Sequence, residues 1–518
     1  MRDAYQVTAV RAAEHALMEL VPDGTLMGRA AAGLASVCAA LLRAAPGRVY
    51  GARVVVLAGS GDNGGDALYA GALLARRGAA VTAIAAGSRV HPGGTAALLQ
   101  ASGRVSSPAD VSYADAVPAA HPIADADLIV DGLLGIGGRG GLREPFASLA
   151  TEAEHARQAG ATVVAVDLPS GIDADTGAVE GPAVRADVTV TFGAIKPGLL
   201  IDPGAGHAGT VELIDIGLGP YLEEGPAASA PQQHDIRELL PRPGAESDKY
   251  RRGVLGLLAG SHRFTGAVLL SAGGAVHGGA GMVRVVTAPE AAVLVRQEWP
   301  ETVVTVHPDD GDWDLLGSVG RVQAWVAGPG MGTDEVATAR LAAILRTDLP
   351  VLVDADGLTI LSQHEDLLPR SGGLEGAPTL ITPHAGELAR LLGTDPASVE
   401  ARRLEHARRA AGQLGVTVLL KGSTTVIASP DSGPVLVNPT GTPWLATAGS
   451  GDVLSGLTGA LLAQGLAPAQ AGLAGAYLHG LAGRLAAAGS AGGADGPGQA
   501  PIGASDLVRA LPAAFRSL

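Results

Sequence analysis

The sequence predicts an α/β protein of two domains, each built around a parallel sheet. The chain has 518 residues, which is enough for two or more domains with sizeable cores. Short apolar segments alternate with helical patterns along both halves, as they do in parallel sheets covered by helices. A segment without periodicity, LEEGPAASAPQQ, separates the halves. We therefore predict domains at 1–222 and 234–518, joined by a linker at 223–233.

The composition excludes several classes of function. Apolar residues make up 47% of the chain and charged residues 17%, which is typical of globular proteins. The single cysteine, Cys38, excludes internal disulfides, cysteine-rich zinc sites and iron–sulfur clusters. The net charge of −15 argues against a large nucleic-acid-binding surface. We therefore expect no nucleic-acid partner.

We also expect no membrane partner. Met1–Leu20 carries charged residues among its apolar positions, so it lacks the apolar centre of a signal peptide. Val453–Gly483 has no charged residue, but it is rich in Gly and Ala. We interpret this stretch as two soluble helices separated at Pro468 rather than as a membrane span. The expected location is the cytoplasm.

In the first half, short apolar segments predict five strands, and the helical periodicity after the first segment predicts one helix. The predicted strands are Arg53–Ala58, Ala79–Ala85, Leu128–Val130, Val163–Val166 and Val188–Phe192, and the predicted helix is Asp66–Arg77.

The second half repeats this alternation. The predicted strands are Val254–Ala259, Met282–Thr287, Ala324–Ala327, Val351–Val353, Leu380–Thr382 and Thr417–Leu420, with a further strand resuming at Thr425–Ile427. The predicted helices are Ala291–Gln297, Glu335–Leu345, Ala385–Leu392, Val399–Leu414 and a last one near Leu507–Phe515, after a loop at Gly489–Pro501.

A glycine-rich loop follows the first strand. Gly59–Asp66 (GSGDNGGD) contains the G-x-G-x-x-G pattern of a dinucleotide-binding turn. The acidic residue expected about 20 positions later is missing, because the second strand ends at AAGSR. Asp62 and Asp66 would also repel a pyrophosphate. The loop therefore favours a cation ligand over a dinucleotide phosphate.

Further polar side chains occur at or just after other strands of the first half. Asp131 and Asp167 each follow an apolar segment, and Ser170 lies three residues beyond Asp167. Ligands of open parallel sheets bind outside the carboxyl ends of the strands, so these residues and Asn63 are expected to converge there. The alternative is that each aspartate only caps a helix or a turn.

In the second half, a glycine-rich turn precedes an apolar helix. Gly449–Gly451 would direct backbone N–H groups and the positive end of the helix dipole at an anion. Asp452 then lies where a carboxylate can take a proton from a hydroxyl beside that anion. The pattern G-x-G-D is weak by itself, since glycine turns begin many helices.

Two other strand ends of the second half carry charge. Lys421 follows VTVLL and precedes Gly422–Thr424, a set of donors suited to a nucleotide phosphate or ribose. The alternative there is a hairpin with an exposed lysine. Asp354 and Asp356 follow Val351–Val353 and are suited either to hydrated magnesium or to capping.

The motifs of the first half are similar to those of a known family. GDNGGD, DGLLGIG, DLPSGIDADTG and TFGAIKPG, with AAEHALMELV and LMGRAA upstream, resemble the NAD(P)H-hydrate epimerase domain of bifunctional NAD(P)H-hydrate repair enzymes. The resemblance implies a Rossmann-like parallel sheet sandwich, and a potassium ion bound by Asn63, Asp131 and Ser170. Asp167 is the candidate acid/base. The implied substrate contacts are Asp62, Asn63, Gly64, Gly65, Asp66, Gly135, Ile136, Gly137, Gly138, Arg139, Gly140, Gly141 and Asp167. The family loop more often reads NNGGD, so Asp62 is a conservative departure.

The second half resembles the ribokinase-like superfamily and, within it, ADP- or ATP-dependent NAD(P)H-hydrate dehydratases. The matching segments include HDIRELLPRP, GPGMG, TPHAGELARLLG, LLKGSTTVI and ATAGSGDVLSG. The resemblance implies a ribokinase-like α/β domain, a magnesium ion and ADP as co-substrate, with Asp452 catalytic. The implied substrate contacts are Ala267, Gly330, His384 and Asp452, and the implied nucleotide contacts are Lys421, Gly422, Ser423, Thr424, Thr425 and Gly451.

Two positions bear on specificity. Vitamin kinases of the superfamily usually have Asn at the position of His384, which favours the dehydratases. The family pattern GNPGM is replaced here by GTPWL, so Trp444 is placed beside the implied nucleotide contacts.

The resemblance covers nearly the whole chain and implies repair of hydrated NADH and NADPH. The first domain would interconvert the R and S hydrates, and the second would dehydrate the S form with ADP, giving AMP and phosphate. A homo-oligomer is also implied. The alternative function is a small-molecule kinase of vitamin or sugar type with a non-catalytic first half.

Overall fold

The computed structural model describes residues 1–108, 122–307, 313–368, 377–431, 433–489 and 499–518. Within this part the chain forms two compact units. One unit is Asp3–Ala228, and the other is Ser229–Leu518 together with Met1–Arg2. Each unit contains its own parallel sheet, in agreement with the predicted fold class.

The first unit contains a seven-stranded sheet covered by helices. Its strands, after the N-terminal β1 (Arg2–Ala4), are β2 (Arg53–Ala58), β3 (Ala80–Ala85), β4 (Arg104–Ser106), β5 (Leu128–Gly132), β6 (Thr162–Val166), β7 (Val188–Phe192) and β8 (Thr210–Ile214). Its helices are α1 (Val7–Met18), α2 (Thr25–Ala44), α3 (Asp62–Arg76), α4 (Pro92–Gln100), α5 (Phe146–Gln158) and α6 (Ala205–Ala208).

The order of this sheet is β4-β3-β2-β5-β6-β7-β8, and every pairing is parallel. Val54 and Val56 of β2 belong to one apolar cluster, and Val55 and Leu57 belong to another. Successive side chains of a strand point to opposite faces, so both faces of the sheet are buried. The chain order reverses between β2 and β5, which makes their carboxyl ends the switch point where ligands bind.

The second unit has a longer sheet. Its strands are β9 (Ala228–Ala230, at the unit boundary), β10 (Val254–Leu258), β11 (Met282–Thr287), β12 (Val303–Val306), β13 (Ala324–Ala327), β14 (Val351–Val353), β15 (Thr379–Ile381), β16 (Thr417–Leu420), β17 (Thr425–Ala428) and β18 (Val435–Asn438). Its helices are α7 (Gln233–Leu239), α8 (Thr265–His277), α9 (Pro289–Glu298), α10 (Leu315–Val319), α11 (Glu335–Leu345), α12 (Asp356–Gln363), α13 (Ala385–Leu392), α14 (Pro396–Ala401), α15 (Arg403–Leu414), α16 (Ser450–Ala463), α17 (Pro468–Ala488) and α18 (Ala504–Arg516).

From β18 to β12 this sheet runs β18-β17-β16-β15-β14-β13-β10-β11-β12. Pairings from β16 to β12 are parallel, whereas β17 pairs antiparallel with both β16 and β18. The chain order reverses between β10 and β13. The carboxyl ends of β14, β15 and β16 are neighbours on one side of that switch point.

Most predicted elements are confirmed to within two residues, and α18 begins three residues before its predicted start, at Ala504. Other differences concern α3, β5, the helix predicted at Val399–Leu414, and β9. Helix α3 begins at Asp62, so half of the predicted glycine loop is its first turn. Strand β5 extends through Asp131. The predicted helix Val399–Leu414 is α14 and α15, divided at Arg402. Strand β9 lies inside the segment predicted to be a linker. Of the predicted loop Gly489–Pro501, residues 490–498 lie outside the described part of the chain.

The apolar stretch Val453–Gly483 is divided between α16 and α17, with Pro468 as the first residue of α17, as predicted. Among the described residues, a different helix, α2, is long and apolar enough to cross a membrane, with a mean hydropathy of 1.5. Its residues Leu34, Cys38 and Leu42 are fully buried in an apolar cluster of the first unit. A core helix of a globular unit has these same properties.

Candidate active sites

The switch point of the first unit brings three predicted residues together. Asp131 is fully buried at the end of β5, and Ser170 donates to it from both its backbone N–H (2.8 Å) and its hydroxyl (2.7 Å). The backbone N–H of Leu134 donates to the Ser170 hydroxyl at 2.9 Å. A side chain at Gly135 would have its Cβ 3.1 Å from Asn63. The loop after β5 therefore lies between Asn63 and Ser170.

The oxygen atoms at this point are of the kinds that bind hard cations. The side chains of Asn63, Asp131 and Ser170 offer amide, carboxylate and hydroxyl oxygens. Asn63 Nδ2 is buried without a hydrogen-bond partner. Burial raises the pKa of Asp131 to about 6, although the hydrogen bonds from Ser170 and Leu133 lower it. Within the described ranges, no group of three or more His, Cys, Asp or Glu side chains is placed to hold a metal ion.

Asp167 is held by a buried lysine. Lys196 is 1% exposed, and its ammonium donates to Asp167 Oδ1, to Thr191 Oγ1 (3.1 Å) and to the Phe192 carbonyl (3.3 Å). The Thr191 hydroxyl also donates to Asp167 Oδ1, at 3.1 Å. Asp167 has a φ of +66°, a backbone conformation that side chains other than glycine rarely adopt. The ion pair therefore fixes a carboxylate in a strained conformation at the end of β6.

Two further carboxyl groups lie near Asp167. Asp66 is buried on α3, and its Oδ1 has no hydrogen-bond partner. Burial, and then the charges of Asp167, Asp62 and Glu14, raise the pKa of Asp66 to about 8. Burial also raises the pKa of Glu14 on α1, while the charge of Lys196 lowers it. The site thus holds a carboxyl group that is protonated at neutral pH beside one that is paired with an ammonium.

The remaining predicted contacts of this unit lie in two glycine-rich segments. They are Asp62, Gly64 and Gly65 in the first turn of α3, and Gly135, Ile136, Gly137, Gly138, Arg139, Gly140 and Gly141 after β5. A Cβ on Gly64 would lie 2.4 Å from the Gly59 carbonyl, so the loop after β2 closes only with glycine. A Cβ on Gly137 would lie 3.3 Å from the guanidinium of Arg11, which brings α1 to the second segment.

In the second unit, three predicted residues follow neighbouring strands. Asp354, His384 and Lys421 come after β14, β15 and β16. Asp354 is buried and accepts a hydrogen bond from the Lys421 ammonium at 2.7 Å and from the Ser455 hydroxyl at 2.6 Å. Glu387 Oε2 lies 3.8 Å from the same ammonium. Burial alone would lower the pKa of Lys421, but the charges of Asp354 and Glu387 raise it.

The glycine turn before α16 has the backbone geometry that the predicted anion site requires. Gly449 precedes the helix with a φ of +85°, and the first-turn N–H groups of a helix have no partner inside it. A Cβ on Gly451 would lie 3.4 Å from the Lys421 ammonium, so the lysine lies against this turn. Burial and the charge of Asp354 raise the pKa of Asp452 to about 7, although Lys421 lowers it. Asp452 is therefore suited to accept a proton near neutral pH.

The predicted substrate contacts of this unit are placed in two groups. A Cβ on Gly330 would lie 2.8 Å from Ala267, so these two residues are adjacent at the start of α8. His384 is exposed and precedes α13, where its Nδ1 accepts the N–H of Gly386 at 3.0 Å. Glu387 accepts the N–H of His384 at 2.8 Å. Because Nδ1 accepts, the neutral ring carries its proton on Nε2.

The predicted nucleotide loop, Lys421–Thr425, connects β16 and β17. Its backbone is held by buried Arg403, which donates to the Lys421 carbonyl at 2.7 Å. Gly422 is required there, since a Cβ would lie 2.1 Å from the Arg403 guanidinium. A Cβ on Gly441 would lie 2.2 Å from the Ser423 carbonyl, so the two loops are in contact. Trp444 donates to Gln499 Oε1 at 2.7 Å.

Sequence reasoning missed several participants. Thr191, Ser455 and Glu387 hold the two charged pairs, and Glu14 belongs to the first site. Glu387 has a sequence signal, since it lies three residues after the residue that precedes α13, the spacing of a capping box. The others lie on strands or helices in unremarkable sequence patterns.

The two sites define a class of protein. Each lies at the carboxyl ends of the parallel strands of an α/β sheet. One presents a fixed carboxylate beside a group of amide, carboxylate and hydroxyl oxygens, and the other presents a carboxylate base beside the start of a helix. This is a two-site α/β enzyme that acts on small polar molecules.

The comparisons with known proteins identify the family. A family model described as NAD(P)H-hydrate dehydratase matches residues 255–496, and one described as YjeF-related protein N-terminus matches 23–198. The bifunctional NAD(P)H-hydrate repair enzyme Nnr of Mycobacterium leprae is 46% identical over 100% of both chains. That of Moorella thermoacetica is 35% identical over 96% of this chain and 93% of its own. The chain belongs to the bifunctional NAD(P)H-hydrate repair enzyme family.

One solved structure is similar to the second half. It is an ADP/ATP-dependent NAD(P)H-hydrate dehydratase from Bacillus subtilis, co-crystallised with ATP and Mg²⁺. It is 31% identical, covers 55% of this chain and 97% of its own, and has a TM-score of 0.48. The full-length relatives match over both units, which favours the repair-enzyme prediction over the kinase alternative.

Proposed function

We propose that this chain restores hydrated NADH and NADPH, with epimerisation in the first unit and ADP-dependent dehydration in the second. The observation that carries this proposal is Asp452, a carboxylate base placed at the anion-binding start of α16 and next to Lys421. That arrangement suits transfer of a phosphoryl group to a hydroxyl. The fixed Asp167 of the first unit, with the oxygens of Asn63, Asp131 and Ser170 near the same strand ends, suits proton movement on a bound nucleotide without phosphoryl transfer.

Epimerisation requires the hydroxyl at C6 of the hydrated ring to change faces. The lone pair of the ring nitrogen can expel the protonated C6 hydroxyl as water, giving an iminium to which water adds back on either face. Alternatively, the C6–N bond breaks as the hydroxyl loses its proton and the nitrogen gains one, giving an open-chain aldehyde that closes again on either face. Asp167, held by Lys196 and Thr191, would move the proton between the hydroxyl and the ring. Buried Asp66, protonated at neutral pH, would donate a hydrogen bond to the same polar intermediate.

Dehydration requires a better leaving group than hydroxide. Asp452 would take the proton of the C6 hydroxyl while the hydroxyl oxygen bonds to the terminal phosphorus of ADP and AMP departs. The C6–O bond then breaks with help from the ring nitrogen, and loss of a proton from C5 restores the C5–C6 double bond. The products are NAD(P)H, AMP and phosphate. The amides of Gly449–Gly451 would stabilise charge on the phosphoryl oxygens.

Potassium is proposed for the first site. Asn63, Asp131 and Ser170 would hold it through oxygen atoms, and its charge would help to fix the phosphates of the substrate. In the second site, both oxygens of Asp354 accept hydrogen bonds from side chains. Among the described residues, Asp356 and Glu387 each use only one oxygen in a hydrogen bond, from Gly332 and His384. Their other oxygens would hold a hydrated magnesium ion, which would supply charge neutralisation to the phosphates of ADP.

The proposed location is the cytoplasm, where NADH and NADPH are used as hydride donors. A homo-oligomer is proposed from the resemblance to the family. Sedimentation of the purified chain at several concentrations tests the assembly: a species of 51.4 kDa at all of them would contradict it.

The experiment is recovery of dihydronicotinamide absorbance from a mixture of R and S NADH hydrates with magnesium and potassium. The mixture receives ADP, ATP or no nucleotide. Full recovery with ADP supports both activities in one chain. Recovery that stops at the S fraction would leave only dehydration. A stable phosphorylated product without recovery would support the kinase alternative and overturn the proposal.

A further inference from the structure

The ammonium of Lys421 lies between two carboxylates and the start of α16. It lies 2.7 Å from Asp354 Oδ1 and 3.8 Å from Glu387 Oε2. The Cβ that Gly451 lacks would lie 3.4 Å from this ammonium and 3.8 Å from Asp354 Oδ2. The ammonium therefore faces the turn whose N–H groups form the anion site, rather than the loop that follows it.

The hydrogen bonds of this lysine leave it able to act on a ligand. An ammonium has three N–H donors. In the described part of the chain, only Asp354 accepts one within hydrogen-bond distance. The Lys421 side chain is 21% exposed, whereas that of Asp354 is 2% exposed. Asp354 is thus the fixed partner, and Lys421 presents its remaining donors to the side where an anion would lie.

We propose that Lys421 is a catalytic residue that contacts the phosphoryl group during transfer, and that Asp354 and Ser455 are positioning residues for its ammonium. This inference rests on the proposed dehydratase function and goes beyond nucleotide binding by the Lys421–Thr425 loop. During transfer, the bond from phosphorus to the oxygen shared with AMP breaks while the bond to the C6 oxygen forms. Negative charge is spread over the other three phosphoryl oxygens, where a preorganised cation is most effective.

The placement of Asp354 explains why the cation is preorganised. A lysine has a flexible stem, and a free one would lose entropy on reaching the phosphoryl group. Asp354 holds the ammonium in place, and the Ser455 hydroxyl, at 2.6 Å, holds the other oxygen of Asp354. Ser455 belongs to α16 itself, so the lysine and the helix start are fixed with respect to each other.

The first test is Lys421→Ala in the full chain with the S hydrate. Formation of AMP is followed in single turnovers at saturating ADP, and AMP affinity is measured by calorimetry. We expect the transfer rate to fall by about 10²- to 10³-fold, as for other preorganised groups that stabilise transition-state charge. AMP affinity should change less than about threefold, because AMP has no transferable phosphoryl group; retained AMP binding also shows that the unit is folded.

A loss of AMP affinity comparable to the loss of rate would overturn the inference and leave Lys421 as a nucleotide contact. An unchanged transfer rate would also overturn it. Absence of ADP-dependent dehydration in the unmodified chain is a different result, since it contradicts the proposed function itself.

The second test is Asp354→Asn, which keeps the shape of the side chain and removes its charge. Without Asp354, the ammonium loses the hydrogen bond that holds it at 2.7 Å. We expect the transfer rate at saturating ADP to fall at least tenfold while AMP affinity changes less than about threefold, and we expect the double variant Asp354→Asn, Lys421→Ala to be no slower than Lys421→Ala alone, because Asp354 acts through the lysine. A purely structural role for Asp354 would lower the midpoint of unfolding and slow the Lys421→Ala protein further, which would contradict its assignment as a positioning residue.

Discussion

The two units each pair a lysine with an aspartate at the end of a parallel strand, but the roles within the pairs are reversed. In the first unit, the lysine is the more buried partner: the side chain of Lys196 is 1% exposed and that of Asp167 is 11% exposed. In the second unit, the aspartate is the more buried one, with Asp354 at 2% and Lys421 at 21%.

The difference shows which member of a charged pair is available for chemistry. All three donors of Lys196 are used inside the protein, on Asp167, Thr191 and the Phe192 carbonyl. It can only position its partner, so Asp167 is the reactive group. Both oxygens of Asp354 are used in the same way, so Lys421 is the group that can reach a ligand. In each pair, the residue whose hydrogen-bonding atoms are all used inside the protein positions its partner. The partner, which has hydrogen-bonding atoms left, is the one that can react or bind a ligand.

The largest expected effect separates the two sites. Asp452→Asn removes the proton acceptor of the second unit, and a missing general base costs about 10²–10⁴-fold in rate. We expect dehydration of the S hydrate to fall by about 10³-fold while epimerisation is unchanged, as followed by chromatography of the two hydrates. Loss of both activities would contradict the division of labour between the units.

The next effect compares the two lysines by stability. Lys196→Met leaves Asp167 as a buried carboxylate without its ion pair, which typically costs about 3–5 kcal/mol. Lys421→Met should cost more, because it leaves unpaired the more buried carboxylate, Asp354 at 2% exposed, whereas Asp167 is 11% exposed.

The measurement is urea unfolding of the full chain, with the transitions of the two units followed separately. Equal costs for the two substitutions would show that the difference in burial has no energetic meaning. Lys196→Arg is the matched control: it keeps the charge, so it should recover part of the stability.

A smaller effect is the pH dependence of dehydration. The pKa of Asp452 is raised to about 7, chiefly by burial, and its ionised form is the proton acceptor. The rate should therefore be nearly constant above pH 8 and fall about tenfold per unit below pH 6. Rates at saturating ADP and hydrate between pH 5 and 9 test this, and a rate that stays flat down to pH 5 would exclude Asp452 as the base.

The last prediction concerns Asp66. Burial raises its pKa in the folded chain to about 8, so the folded state holds its proton more tightly than the unfolded state does. The contribution of this group is favourable below the unfolded pKa, near 4, and is lost as the pH rises towards 8. Asp66→Asn cannot titrate, so the first unit of this variant should lose less stability between pH 5 and 8 than the unmodified chain. Parallel curves for the two proteins would contradict this.

The strand ends and the glycine turns could be predicted from the sequence because they depend on local patterns. Short apolar runs followed by Asp131, Asp167, Asp354 or Lys421 identify side chains at the carboxyl edge of a parallel sheet. The first turn of α3 was harder to predict. Its residues, Asp62 to Asp66, include two glycines, which are poor helix formers, so the helical conformation depends on the packing of α3 against α2, α4, β2 and β5.

The sequence by itself determined two α/β units and the candidate reactive residues at their sheet edges, because apolar periodicity and glycine placement act over a few residues. Only the tertiary structure decided the partners. Lys196 meets Asp167 across 29 positions, Lys421 meets Asp354 across 67, and Ser455 meets Asp354 across 101. The order of the strands and the packing of the helices bring these residues together despite their separation in the sequence. The resulting burial decides which group is saturated and which can react, since desolvation and pairing depend on three-dimensional surroundings rather than on residue type.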